Sequence, residues 1–204
     1  RLNMSHGTRD DHRRHAQLVR DSAAQHGRTV ALLVDLQGPK IRIGGFAKGP
    51  VQLRNGKRFV IDTALGEKAG TEESVGTSYA GLVNDVDTGD RLLLDDGNIV
   101  LQVEKIEGTA ISTRVIVGGE LSDSKGINKL GGGLSAEALT EKDHEDIRFA
   151  AEIGADYLGV SFVRHGADVE TARMLLRSAG SDAHVVSKIE RREALDNMDE
   201  IIAA

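Results

Sequence analysis

No cysteine occurs among the 204 residues, which excludes disulfides, thiolate metal sites and thiol nucleophiles. Aromatic residues make up only 3% of the chain; with a formal charge of −6 and no basic run, this argues against nucleic acid and against an anionic membrane surface as partners. There is no apolar run of about 18 residues and no secretory leader pattern, so a cytoplasmic protein without membrane spans is expected. What is present, 39% hydrophobic and 28% charged residues, suffices for a real core in one or two domains. Any anionic ligand has to be met by local cations.

The chain turns on the stretch Asp35-Leu36-Gln37-Gly38-Pro39-Lys40-Ile41-Arg42. Ahead of it, residues 29–34 lack polar alternation and are expected to form a fully buried parallel strand. Further upstream, Arg1-Leu2-Asn3-Met4 alternates like a strand. Thr8 then caps a helix with Asp10 and Asp11 in its first turn, Leu18 and Val19 on one face and Gly27 as its stop. Strand, helix and strand make one βαβ unit.

Behind the turning point the period changes. Residues 57–62, 91–94, 98–106 and 110–117 read as short, half-buried antiparallel strands, with Ile99, Leu101 and Val103 on one face and Gln102 and Glu104 on the other. Asp96-Gly97 and Glu107-Gly108 suit hairpin turns, and residues 66–70 a loop. After Gly131-Gly132-Gly133, which suits a hinge, the helical rhythm returns. Thr140 caps a helix with Ile147, Ala150 and Ala151 buried; a second helix buries Val169, Ala172, Leu175 and Leu176; strands are expected at 157–160 and 184–190, and one last helix over 193–203. The expected fold is α/β with a parallel sheet in segments 1–39 and 135–204, interrupted by an inserted all-β barrel domain over 40–134.

Chemistry gathers at the strand ends. Lys188 and Glu190 are two apart and share one side of their strand, which places an ammonium beside a carboxylate where α/β enzymes hold catalytic groups. Arg1 and Asn3 end a second strand, and Asp35 with Arg42 a third. Arginine suits bidentate phosphate binding, lysine acts as a point charge and a carboxylate as a hard oxygen ligand. A phosphate and a divalent metal fit that set, so phosphoryl transfer is favoured over proton abstraction alone.

Five segments, Arg1-Leu2-Asn3-Met4-Ser5-His6-Gly7, the stretch around Gly38-Pro39, Asp95-Asp96-Gly97, Lys125-Gly126-Ile127-Asn128 and Ser187-Lys188-Ile189-Glu190, together resemble the signature segments of pyruvate kinase, in order and over the whole chain. The resemblance implies a partial (β/α)8 TIM barrel, about four of eight strands, with the β domain inserted as a lid. It implies transfer of the phosphoryl group of phosphoenolpyruvate to ADP, giving pyruvate and ATP in glycolysis, with Mg2+ or Mn2+ as cofactor and a homotetrameric parent. By the same resemblance Lys188 neutralises the phosphoryl group and Glu190 is a metal ligand. Arg1, Asn3 and Arg42 become phosphate and nucleotide contacts, His6 lies near the nucleotide, and Lys125 with Asp95 or Asp96 belongs to the lid.

Ser5 and Asp35 match a monovalent-cation site. Lys40 stands where potassium-requiring members carry glutamate, so K+ is expected not to be required. His6 reads equally well as a helix-entry residue with a packing role, and Lys125 sits in ordinary solvated turn chemistry. With four strands in hand the sequence reads as an internal portion of a longer protein, inactive and poorly soluble alone. Two other readings use the same residues: a metal-dependent lyase or aldolase acting on a pyruvate-type enolate, separated by its indifference to ADP, and a non-catalytic binding module, which would bind without turnover.

Overall fold

Two threonines start two helices in the same way. Thr8 precedes α1 (Arg9–Gln25) and Thr140 precedes α3 (Glu141–Glu152), and each hydroxyl accepts the backbone N–H of an aspartate three residues on while that aspartate's carboxylate accepts the threonine N–H. These capping boxes lie in a computed structural model that describes all of residues 1–204. The chain divides into two compact units, one of residues 1–39 and 137–204, the other of residues 40–136. No helix is long and apolar enough to cross a membrane.

In chain order the first unit opens with β1 (Leu2–Asn3), α1 and β2 (Leu33–Asp35). The second unit then runs through β3 (Val51–Leu53), β4 (Arg58–Asp62), β5 (Ser74–Gly76), α2 (Leu82–Asp85), β6 (Arg91–Leu94), β7 (Ile99–Glu107), β8 (Ala110–Val117), β9 (Gly119–Leu121) and β10 (Ile127–Lys129). The first unit resumes with α3, β11 (Tyr157–Val160), α4 (Gly166–Ser178), β12 (His184–Ser187), α5 (Arg192–Asp196) and α6 (Met198–Ala203).

The four strands of the first unit form one parallel sheet in the order β1-β2-β11-β12. Its register sets Asn3 beside Asp35, and Asp35 beside Gly159. A Cβ at Gly159 would lie 3.3 Å from Asp35 Oδ1, so the missing side chain leaves room for that carboxylate. Val34, Leu158 and Val160 pack against Ile147, Val169 and Ala172 of the helices, an apolar layer removed from water.

Several boundaries differ from the sequence reading. The strand expected over 29–34 is confined to Leu33–Asp35, and Val30 is 50% exposed, because only those three residues have neighbours to pair with; Leu32 N–H is taken instead by the Asp156 carboxylate at 2.7 Å. On α1 the inward positions are His12, Ala16 and Val19, spaced four and then three apart, which turns Leu18 to solvent. On α3, Asp143 and Asp146 join Ile147 and Ala150 on the buried face, while Ala151 is half-buried. The strand expected to reach Glu190 ends at Ser187, although Lys188 N–H still donates to Val160 C=O at 3.0 Å. The single last helix is two, broken at Asn197, whose side-chain amide donates to Arg164 C=O at 2.9 Å. At φ −108° and ψ 21° Asn197 lies outside the helical region, which separates the two helices.

The second unit holds a six-stranded sheet, β10-β6-β7-β8-β4-β5, and a separate β3-β9 pair. Ile99, Leu101 and Val103 face inward, as the alternation requires, around a core with Phe59, Ile61 and Leu92. The turn after β6 places Asp95, Asp96 and Gly97 at positive φ, and the turn after β7 uses Gly108 at φ 59°. Residues 66–69 form a loop, and Gly70 at its end makes an isolated parallel bridge to Phe46. One pairing differs from the antiparallel expectation: β5 lies parallel to β4.

Candidate active site

The ends of the parallel strands carry an alternating chain of charge. Asp35 closes β2 as a residue only 4% exposed, and both of its carboxylate oxygens are engaged. Arg1, directly ahead of β1, donates to Oδ2 through Nε and Nη2, each at 2.6 Å. Lys188, directly after β12, donates to Oδ1 at 3.0 Å, and its ammonium also lies 3.4 Å from Glu190 Oε1. The order Arg1, Asp35, Lys188, Glu190 alternates in sign, and the two cations offset the burial cost of the Asp35 carboxylate between them.

Two neutral groups complete it. Ser161, the first residue after β11 and 2% exposed, accepts a hydrogen bond from Lys188 Nζ at 2.7 Å. Phe162 follows at φ 57°, a conformation that bulky residues avoid, and this aims its N–H at Glu190 Oε2, 3.1 Å away. Its ring lies under the Arg191 guanidinium at 5.7 Å. Neither residue is among the sequence candidates; the one hint is position, since both follow the run Leu158-Gly159-Val160 at a strand end, and nothing in their residue types marks them.

Of the expected residues the first unit thus brings together Arg1, Asp35, Lys188 and Glu190. Asn3, Ser5 and His6 form a turn beside them, bonded among themselves: Ser5 N–H donates to Asn3 Oδ1 at 3.0 Å and His6 N–H to Asn3 C=O at 3.2 Å. The carbonyl of the exposed His6 meets His12 Nε2 at 2.8 Å, which anchors the entry to α1.

The second unit holds the remainder. Arg42 donates through its guanidinium to Ser124 C=O and through its backbone to Ser78 Oγ. The carbonyl of Lys40 accepts from Ser78 Oγ at 3.2 Å. Lys125 pairs with Asp95, not Asp96, at 2.7 Å; that hydrogen bond and one from Asn98 hold the Asp95 carboxyl below its ordinary 3.8.

Nowhere do three or more His, Asp or Glu side chains converge as a metal cage would require. The chemistry present is narrower: Glu190 offers one hard carboxylate at a strand end, and magnesium is commonly held by one or two carboxylates with substrate oxygens and water filling the rest of its shell. That donor fits.

Comparison with known proteins agrees with this picture. The family model described as "Pyruvate kinase, barrel domain" matches residues 1–204. The chain is 55% identical to pyruvate kinase II of Salmonella typhimurium and 53% identical to a pyruvate kinase of Haemophilus influenzae, each match covering 100% of this chain and 43% of the relative. A pyruvate kinase of Mycobacterium tuberculosis is 42% identical over the same shares. The chain therefore spans less than half the length of the curated relatives it matches.

Proposed function

Since the chain belongs to the pyruvate kinase family, we propose that these residues carry the phosphoryl-transfer site of such an enzyme, moving the phosphoryl group of phosphoenolpyruvate to ADP. The supporting observation is the Arg1, Asp35, Lys188, Glu190 chain at the ends of parallel strands. In the transfer the bond from phosphorus to the enolate oxygen breaks and one to a terminal oxygen of ADP forms, in line. The protein's task is to position the reactants and stabilise charge. Lys188 is read as the cation facing the migrating group, and Arg1 and Arg42 as phosphate contacts. Asn3, His6 and Lys125 are read as nucleotide contacts. Glu190 would hold the divalent ion, which when bound supplies positive charge to the phosphoryl oxygens.

The reading extends to the architecture. The four-stranded sheet is part of a (β/α)8 barrel and the second unit a lid that closes on nucleotide. Potassium is not required: both oxygens of Asp35 already face cations, Arg1 and Lys188, which leaves little demand for a monovalent ion beside Ser5. Lys40 is the residue that takes its place.

The test is turnover of phosphoenolpyruvate coupled to ADP phosphorylation, in a chain of the relatives' full length carrying these residues. Lys188→Met is expected to lower kcat by roughly 1,000-fold, in the range for one preorganised charge at a transferring group. A variant that keeps wild-type turnover, or a wild type that consumes phosphoenolpyruvate without ADP, overturns the reading.

A further inference from the structure

We propose that Ser161 is a positioning residue for Lys188, fixing where the ammonium meets the migrating phosphoryl group; the inference rests on the function proposed above. The hydrogen bonds around Ser161 admit one arrangement. An ammonium can only donate, so Ser161 Oγ accepts from Lys188 Nζ at 2.7 Å. The hydroxyl's single proton then goes to the Leu36 carbonyl, also at 2.7 Å, which can only accept.

The main chain that carries that carbonyl is hydrogen-bonded on both sides of it. Leu36 N–H donates to Gly159 C=O at 2.9 Å, and two residues on Gly38 N–H donates to the fully buried Asp143 at 3.0 Å. Ser161 therefore ties the end of a long flexible side chain to main chain held from both sides.

The other partners of Lys188 cannot do this. Asp35 is shared with Arg1, whose side chain is 60% exposed and free to turn toward an arriving phosphate. Glu190, at 3.4 Å, is the carboxylate a divalent cation would recruit. Ser161 is neutral and buried, so neither an anion nor a metal competes for it, and it holds Nζ in place as the charges around it change. A lysine that drifts by about 1 Å misses the transferring group, and a misplacement of that size can cost roughly 100-fold in rate.

The experiment uses a chain of the relatives' full length carrying these residues, with Ser161→Ala, Ser161→Thr and Lys188→Met made in parallel. Expected for Ser161→Ala is a fall in kcat of roughly 10- to 100-fold with KM for phosphoenolpyruvate within about twofold of wild type, and recovery to within about fivefold in Ser161→Thr, which keeps the hydroxyl. A second readout needs no turnover. Acylation of Lys188 Nζ at fixed pH, followed by mass spectrometry, is expected to speed up several-fold in Ser161→Ala, while Lys142, which donates to Met4 C=O and Asp146 in the same unit, keeps its rate.

If Ser161→Ala retains its kcat while Lys188→Met is inactive, Ser161 does not position the lysine and this inference alone fails. If both lysines become more reactive together, the hydroxyl is merely structural and the inference again fails. If Lys188→Met itself turns over normally, the proposed function fails and takes this inference with it.

Discussion

Replacing Asp143 by alanine is expected to destabilise the protein by about 3 kcal/mol, well above the roughly 1 kcal/mol of an ordinary helix cap. Its carboxylate has no solvent exposure and accepts three hydrogen bonds: from Thr140 N–H at 2.9 Å, from Thr140 Oγ at 2.6 Å and from Gly38 N–H at 3.0 Å. Hydrogen bonds to a charged acceptor contribute about 1.5–3 kcal/mol each, so the three together are of order 6 kcal/mol. Relief of the carboxylate's own burial penalty returns several kcal/mol of that, leaving about half.

Thr140→Ala removes only the hydroxyl and is expected to cost about 1 kcal/mol; the double variant should fall short of additivity, since hydroxyl and carboxylate are direct partners. Urea unfolding followed by far-ultraviolet circular dichroism measures all three, a suitable probe for a chain with no tryptophan. An Asp143→Ala variant within about 1 kcal/mol of wild type, no more than the Thr140→Ala effect, would refute the claim that this carboxylate ties the first turn of α3 to the Gly38 turn.

Gly38→Ala is expected to lose at least about 2 kcal/mol in the same assay: the residue sits at φ 64°, and an added Cβ would lie 2.9 Å from both Ser161 Cβ and Phe162 Cδ2. The Lys125–Asp95 pair carries a pH dependence. The folded carboxyl titrates below its ordinary 3.8, so the pair's contribution is complete above that value and is lost as pH falls through the lower folded value; NMR titration of the Asp95 carboxyl should give a midpoint below 3.8, and a midpoint at or above it contradicts the pairing. Lys40→Glu, in a chain of the relatives' length, is expected to make turnover fall when potassium is replaced by a bulky organic cation, with divalent ion constant. Wild type should be indifferent to that exchange, and a wild type that loses most of its activity shows that Lys40 has another task.

Elements governed by local rules were legible in the sequence. The two threonine-capped helices, the glycine that stops α1, the alternation along β7 and the Asp-Gly turn before it all rest on contacts within a few residues of one another. Lys188 and Glu190 also come together as expected, 3.4 Å apart, although the strand whose period suggested it ends at Ser187. What the sequence could not decide was set by neighbours distant along the chain. The run 29–34 shows no internal boundary in its residue types, yet β1 and β11 pair only with Leu33–Asp35, so the extent of the strand was decided by its partners. Four three-residue strands, β3, β5, β9 and β10, are too short to show any period, and exist because a longer strand or each other offers unpaired backbone. Each charged residue of the site was visible alone, but which cation meets which carboxylate depends on the sheet register that sets Asn3, Asp35 and Gly159 in one row. Ser161 was the hardest to see: a lone serine carries no pattern, and it gained its place only when folding brought the Leu36 carbonyl and the Lys188 ammonium, 125 and 27 residues away in sequence, to opposite sides of one hydroxyl.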